Sequence, residues 1–307
     1  MTTLYTPSVQ ARGVRGSFFR ALTGAERSSL VPLISEVISS DGADEKYAWI
    51  GESPQMVELL DEVAYKPLSD TTYTITNKIF KAGLVVRRKD LDDQQYNGIT
   101  RRIQQLASVA VGHKNKMLVD ALINGTSATL GLCYDGVALF HDAHPDRGVA
   151  GVGTQDNLLA GSGTTTANLQ TDLNTGIQTM LTFKAENGEP FTESLDKLMI
   201  VAHPSMRKSV LEALNAQIIS NTSNVGFAGL NIQPVFTPRL VDVNDWYMLN
   251  MSANMASLIL QDRDPLEFSA LESGERAQVQ EQYLYECRWR GNVGYQFWQS
   301  GLKFVNT

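Results

Sequence analysis

Reactive and cross-linking residues are few in this chain: two cysteines and four histidines in 307 residues. Cys133 and Cys287 lie far apart in sequence. That fits a reducing compartment better than a disulfide framework. Charged residues make up only 19%, and 26 bases face 33 acids for a net charge of -7. There is therefore no bulk basic field of the kind that holds nucleic acid by neutralising phosphates. No apolar run approaches the ~18 residues of a membrane-spanning helix. The opening MTTLYTPSVQARGVRGSFF lacks the apolar core of a signal peptide. The phosphate-binding pattern GxxxxGK[ST], the nucleophile pattern GxSxG and the zinc pattern HExxH are all missing. GVGTQD, at 151–156, breaks the dinucleotide-binding fingerprint at its last position.

What the chain does have is apolar residues, at 43%, enough for extensive burial within a subunit and between subunits. Its length suits two domains or one large fold with an inserted lobe, at roughly 100–200 residues per domain. One stretch looks like a site. CYDGVALFHDAHPDRG, Cys133 to Gly148, gathers one cysteine, two histidines and three aspartates. Spacing alone leaves a Cys133–His141–His144 metal triad open. The local chemistry favours turns: Gly136 supplies a positive φ after Asp135, and Pro145 fixes the backbone after His144. Cys133 has an apolar setting and no basic activator, so the sequence predicts no catalytic, cofactor or metal residues.

Periodicity organises the rest. Residues 92–124 carry one apolar stripe through Ile99, Ile103, Leu106, Ala110, Met117 and Ala121. It predicts a helix of roughly 30 residues, about 45 Å long, opened by Asp92 or Asp93 and closed at Asn124–Gly125. His113 falls on or beside that stripe and is read as a partly buried, satisfied histidine. A second helix is predicted over 167–183 and a buried strand over 195–204, followed by a helix capped by Ser205. NIQPVFTPRL, DWYMLN and ASLILQ read as further strands. The C-terminal stretch 281–305 alternates as strands with a turn at Gly291–Asn292. The Gly/Thr-rich stretch 147–168 reads as a surface loop. Residues 1–46 read as an extended arm, with a short helix near 24–38 interrupted by Pro32.

Residues 47–90 hold too few apolar side chains to make a core alone. YAWIG reads as a strand, SPQMVELLDEV as a short helix, and Tyr73 and Ile75 alternate with threonines as in a strand. Charge is segregated around this excursion. Residues 1–30 carry four arginines against Glu26. Residues 31–65 carry eight acids against Lys46, and 66–90 six bases against Asp70 and Asp90. Adjacent blocks of opposite sign point to pairing between chains.

The order arm, strand-rich excursion, long helix, central lobe and returning strands resembles the HK97-type major capsid fold. Within it, the chain resembles the Mu-like major head subunit family, gpT. The carrying motifs are YAWIGESPQMVEL (47–59), YTITNKIFKAGLVVRRKDLDDQQY (73–96), LCYDGVALFHDAHP (132–145), HPSMRKSVLEALNAQII (203–219) and RGNVGYQFWQ (290–299). The resemblance implies an α+β chain with an N-terminal arm (1–46), an E-loop (47–90), a P-domain (91–190, spine helix 92–124), an A-domain (191–256) and returning P-domain strands (257–307). It implies a self-assembling head protein without enzymatic activity or cofactor, forming hexamers and pentamers of an icosahedral shell around double-stranded DNA. Its partners would be further copies of itself, a scaffold protein, a portal, non-specifically held DNA and a decoration protein, but no membrane. The particle would assemble in a host cytoplasm and the subunit would end in the virion. The alternative is the shell of an encapsulin-like compartment.

On this basis the expected subunit contacts are apolar at Trp49, Ile50, Met56, Leu59 and Leu60. They are acidic at Glu58, Asp61 and Glu62, and basic at Lys81, Arg87, Arg88 and Lys89. The four N-terminal arginines are candidates for facing DNA or a scaffold.

Overall fold

The computed structural model describes residues 7–47, 73–89, 96–145, 153–185, 188–215, 218–219, 222–223, 229–252, 256–273 and 275–306. In chain order the elements are α1 (Pro7–Glu26), α2 (Val31–Ile34), β1 (Glu36–Ser39), β2 (Asp44–Tyr47), β3 (Tyr73–Thr76), β4 (Lys78–Arg87) and α3 (Tyr96–Asn124). Then come β5 (Leu158–Ala160), α4 (Thr166–Thr182), β6 (Leu198–Ala202), α5 (Arg207–Asn215), β7 (Ile218–Ile219), β8 (Thr222–Ser223) and β9 (Ile232–Phe236). The last are β10 (Trp246–Asn250), β11 (Leu258–Leu271), α6 (Glu275–Val279), β12 (Gln282–Tyr295) and β13 (Gly301–Val305). The mixture is α+β.

Two sheets carry the fold. One has the order β1-β11-β12-β4 and the other β5-β13-β10-β6-β9. In the second sheet β6 and β10 run antiparallel at its centre, and every residue of both is buried. That is why LMIVA and the WYML of β10 read as apolar runs rather than alternations. Trp246 of β10 stacks on Phe304 of β13, with centroids 4.2 Å apart. Helix α4 lies close on this sheet because Gly176 has no side chain: a Cβ there would stand 2.9 Å from Met248 Cε. This sheet takes strands from all three ranges 91–190, 191–256 and 257–307.

The first sheet is crossed by α3, 29 residues long and about 43 Å at 1.5 Å per residue. Its N-terminal half packs Ile99, Ile103, Leu106 and Val111 with Val14, Phe18 and Leu22 of α1 and Phe268 and Tyr285 of the sheet. Its C-terminal half buries Leu118, Val119 and Leu122 in the larger core with β6 and β10. The helix thus joins two cores. It ends at Asn124 as expected. Gly125 serves close packing, since a Cβ there would meet the Phe140 ring at 2.7 Å. The proposed cap at Asp92 or Asp93 lies outside the described residues.

Four expectations are corrected. The arm is not extended: α1 is a 20-residue helix beginning at Pro7. Its apolar stripe, Val14, Phe18 and Leu22, is spaced by four and docks on α3; three glycines obscured it. The 147–168 stretch is not only surface loop, because it holds β5 and the wholly buried Asn157. Ser205 is not the helix cap. His203 Nδ1 accepts from the Ser205 N–H at 3.3 Å, opening a 3-10 turn (Pro204–Met206) that leads into α5. There is no turn at Gly291–Asn292, because β12 runs through both. A Cβ on Gly291 would stand 2.2 Å from the Gln261 carbonyl oxygen of β11, so the glycine permits close strand approach instead. The helix expected over SPQMVELLDEV lies outside the described residues.

Candidate assembly surface

The residues that looked like a metal site form a closed polar clip. Gly136 takes a φ of 85°, and its N–H donates to the Cys133 carbonyl across the expected tight turn. That turn aims Asp135 inward, where its Oδ2 lies 2.6 Å from His144 Nδ1 with both side chains enclosed. His144 Nε2 lies 3.1 Å from Asn157 Oδ1. The Asn157 amide nitrogen is spent on the carbonyls of Leu139, Trp298 and Gly301. Its oxygen is therefore the acceptor, and His144 Nε2 carries a proton. The His144 ring stacks on Trp298 with centroids 4.0 Å apart and planes 7° from parallel.

Cys133 and His141 are engaged elsewhere. The Cys133 thiol donates to the Gln296 carbonyl at 3.2 Å, and burial pushes its pKa well up. His141 Nδ1 accepts from the Ala143 N–H at 3.0 Å. Among the described residues no group of three or more His, Cys, Asp or Glu side chains is placed to hold a metal ion. The cluster ties the 133–145 loop to β13 and its preceding turn. Asn157, its centre, was missed because it sits within a Gly/Thr-rich stretch that carries no periodicity.

The exposed chemistry lies on β4 and α3. Among the described residues β4 pairs only with β12, so its second edge is open. Ile79 and Val85 on this strand are 55% and 53% exposed. Beside them a cavity of about 410 Å³ is lined by Ile79, Phe80, Lys81, Val109, His113 and Trp289. His113 is partly buried, as expected. It packs on Phe80, with centroids 4.4 Å apart, but it is not satisfied as expected, because its Nε2 has no hydrogen-bond partner among the described residues. Burial, and secondarily Lys116, lowers its pKa.

Lys81 reaches Glu286 of its own chain at 3.7 Å, a half-exposed pair worth about 0–1 kcal/mol. Arg87, Arg88 and Lys89 are exposed at the end of β4. The Arg88 N–H is tied to the Glu281 carbonyl at 2.8 Å. Trp49, Ile50, Met56, Glu58, Leu59, Leu60, Asp61 and Glu62 lie outside the described residues. One member of the acidic block is spent locally. Glu45 accepts from the Gly42 N–H, the Ser40 hydroxyl and the Asp41 N–H, which lower its pKa.

A family model described as "Mu-like prophage major head subunit gpT" matches residues 9–170 and 240–304, well over half of the chain. The chain belongs to the Mu-like major head subunit family. Among curated relatives of this family, it is 21% identical over 269 residues to the Mu-like prophage FluMu major head subunit of Haemophilus influenzae. That match covers 87% of this chain and 63% of the relative. It is 24% identical over 112 residues to the major capsid protein of Escherichia phage Mu, 36% of each. The chain thus spans less than two thirds of the length of either relative.

Two solved structures have similar folds. The procapsid of bacteriophage JBD30 gives a TM-score of 0.55 at 21% identity, over 98% of this chain and 76% of that one. The virus-like particle from Pyrococcus furiosus gives 0.58 at 12% identity, over 96% and 98%. The fold of this gpT-family chain is accordingly the HK97-like capsid fold. Among its described residues no helix is long and apolar enough to cross a membrane.

Proposed function

We propose that this gpT-family chain is the major head protein of a tailed phage or Mu-like prophage, assembling into hexamers and pentamers of an icosahedral shell around double-stranded DNA. One observation carries the reading beyond family membership. Among the described residues β4 presents an open edge with Ile79 and Val85 exposed, and Ile79 lines a largely apolar cavity, features that solitary proteins keep covered. A neighbouring copy covers it, and repetition across the lattice multiplies each weak contact. The arm, E-loop, P-domain and A-domain divisions at 46, 90, 190 and 256, a scaffold, a portal and a decoration protein belong to the same proposal. So do assembly in a host cytoplasm and residence in the virion. In this proposal the chain acts as a wall, and the enclosed Asp135–His144 pair serves to hold its loop.

Likeness to the Pyrococcus furiosus particle over nearly all of both chains supports a second reading, an encapsulin-like compartment. Electron microscopy of the purified protein, alone and with a scaffold, tests both. Shells, capsomers or tubes are expected, and only small discrete oligomers under every condition would overturn the proposal. Copurifying cargo peptide in place of DNA selects the compartment.

A further inference from the structure

The outward stripe of α3 carries a second, unused chemistry. Arg101, Gln104, Gln105 and Ser108 follow at i, i+3, i+4 and i+7 and are all exposed. With Arg20 of α1 they line an open groove of about 460 Å³. Through Gln105 and Ser108 it continues into a second groove, of about 580 Å³, lined also by Gly112, Lys116 and Arg239. Arg239, on the loop between β9 and β10, lies over the helix where Gly112 has no side chain. Its guanidinium is 3.4 Å from the place a Cβ would take.

Three of the four cations along this track have no carboxylate partner among the described residues: Arg20, Arg101 and Arg239. Lys116 pairs with Asp120. The nearest acid to Arg239 in sequence, Asp242, is turned to its own loop, accepting from the N–H groups of Asn244 and Asp245. Glu26 of α1 lines a different hollow, beside Lys114 and Asp262. A chain with a net charge of -7 thus keeps one helix face lined by cations and neutral polar groups.

We infer that this groove binds the phosphodiester backbone of a nucleic-acid duplex. Guanidinium forks match phosphate oxygens in two-point geometry, and the glutamine amides and Ser108 hydroxyl add neutral donors. From Arg101 to Gly112 the helix advances about 16 Å, the length of about five base-pair steps of duplex axis. The groove offers bases nothing to stack on, because the one ring at its wall, His113, is packed against Phe80. Among the described residues Val109 is its one exposed apolar residue, too little to anchor a peptide. Contact of this kind is blind to sequence. It rests on the shell proposal, which supplies the duplex.

The test is fluorescence anisotropy of a short labelled duplex with the purified protein over a salt series, for the wild type, Arg101→Gln/Arg239→Gln and Ser108→Glu. The groove predicts wild-type binding that weakens with salt. In the double variant affinity falls about tenfold or more, and the log–log salt slope flattens by about 2, at ~0.9 for each phosphate contact. Ser108→Glu, which places an opposing charge on an exposed helix position, loses affinity similarly and covers failure of the double variant to fold. Wild-type affinity and slope in both variants would overturn the inference. So would no binding by the wild type, or preferential binding of polyglutamate over duplex. Microscopy separates the two proposals. Shells without duplex binding sink this inference alone, and groove-dependent binding without shells under any condition sinks the shell proposal.

Discussion

Asp135 and His144 meet at 2.6 Å with neither side chain in reach of solvent. Removing one partner strands the other in a low-dielectric interior, which typically costs about 3–5 kcal/mol. His144→Ala and Asp135→Ala should each lower unfolding stability by that order in denaturant titration. The double variant should lose less than the sum, since both remove one interaction. Single-variant losses near those of an ordinary surface substitution, about 0.5 kcal/mol, would show that the clip does not hold the loop.

Gly291 gives a second test. A Cβ there would sit 2.2 Å from the Gln261 carbonyl oxygen and 2.5 Å from the Trp289 ring. The backbone cannot yield without opening the β11–β12 ladder. Gly291→Ala should cost on the order of 1–3 kcal/mol, as overpacking does. Thermal unfolding reads the loss, and a near-neutral change would mean that β11 and β12 do not approach this closely at Gly291.

The same glycine shows where legibility stopped. Helices α3 and α4 and strands β6 and β10 could be read because one-dimensional periodicity records which face is buried. Gly291, Gly125 and Gly176 earn their places by what approaches from distant chain segments, and no local window contains that. Helix α1 was obscured for a related reason. Its stripe of Val14, Phe18 and Leu22 is thin, and it becomes a helix's buried face only once α3 supplies the other side. Asn157 holds three carbonyls from two distant segments; in sequence it is one polar residue in a loop. Of the basic contacts read from composition, Lys81 turned out to have a partner in its own chain, which charge-block reasoning does not foresee.

Glu45 makes stability depend on pH in a defined direction. The N–H groups of Gly42 and Asp41 and the Ser40 hydroxyl hold its carboxyl below the ordinary 4.5. A depressed carboxylate contributes stability that is fully present above that ordinary value and is lost as pH falls through the folded one. Carboxyl NMR titration should place its midpoint below 4.5, and Ser40→Ala should raise it. A midpoint at or above 4.5 in the wild type would mean that the loop does not close on this side chain.

Both thiols should be silent. Burial raises the pKa of Cys133 and Cys287, and the reactive species is the thiolate. A thiol reagent at neutral pH should label neither in the native protein and both after denaturation. Rapid stoichiometric labelling of native Cys133 would contradict its enclosure and its bond to Gln296.

The last prediction separates charge from apolar burial in assembly. Arg87 and Arg88 lie at the exposed end of β4, while Ile79 and Val85 are exposed near its two ends. None of the four side chains is buried in this chain, so substitutions there should leave its unfolding within about 0.5 kcal/mol. Arg87→Glu/Arg88→Glu should stop or misdirect assembly at moderate salt, and that defect should shrink as salt screens the repulsion. Ile79→Lys/Val85→Lys should block assembly at all salt concentrations, because the loss is of apolar area rather than of charge. Electron microscopy across a salt series reads both. Normal shells from the arginine variant would make its charges ordinary solvated ones. Normal shells from the lysine variant would leave the open edge of β4 without a neighbour and remove the observation on which the assembly proposal rests.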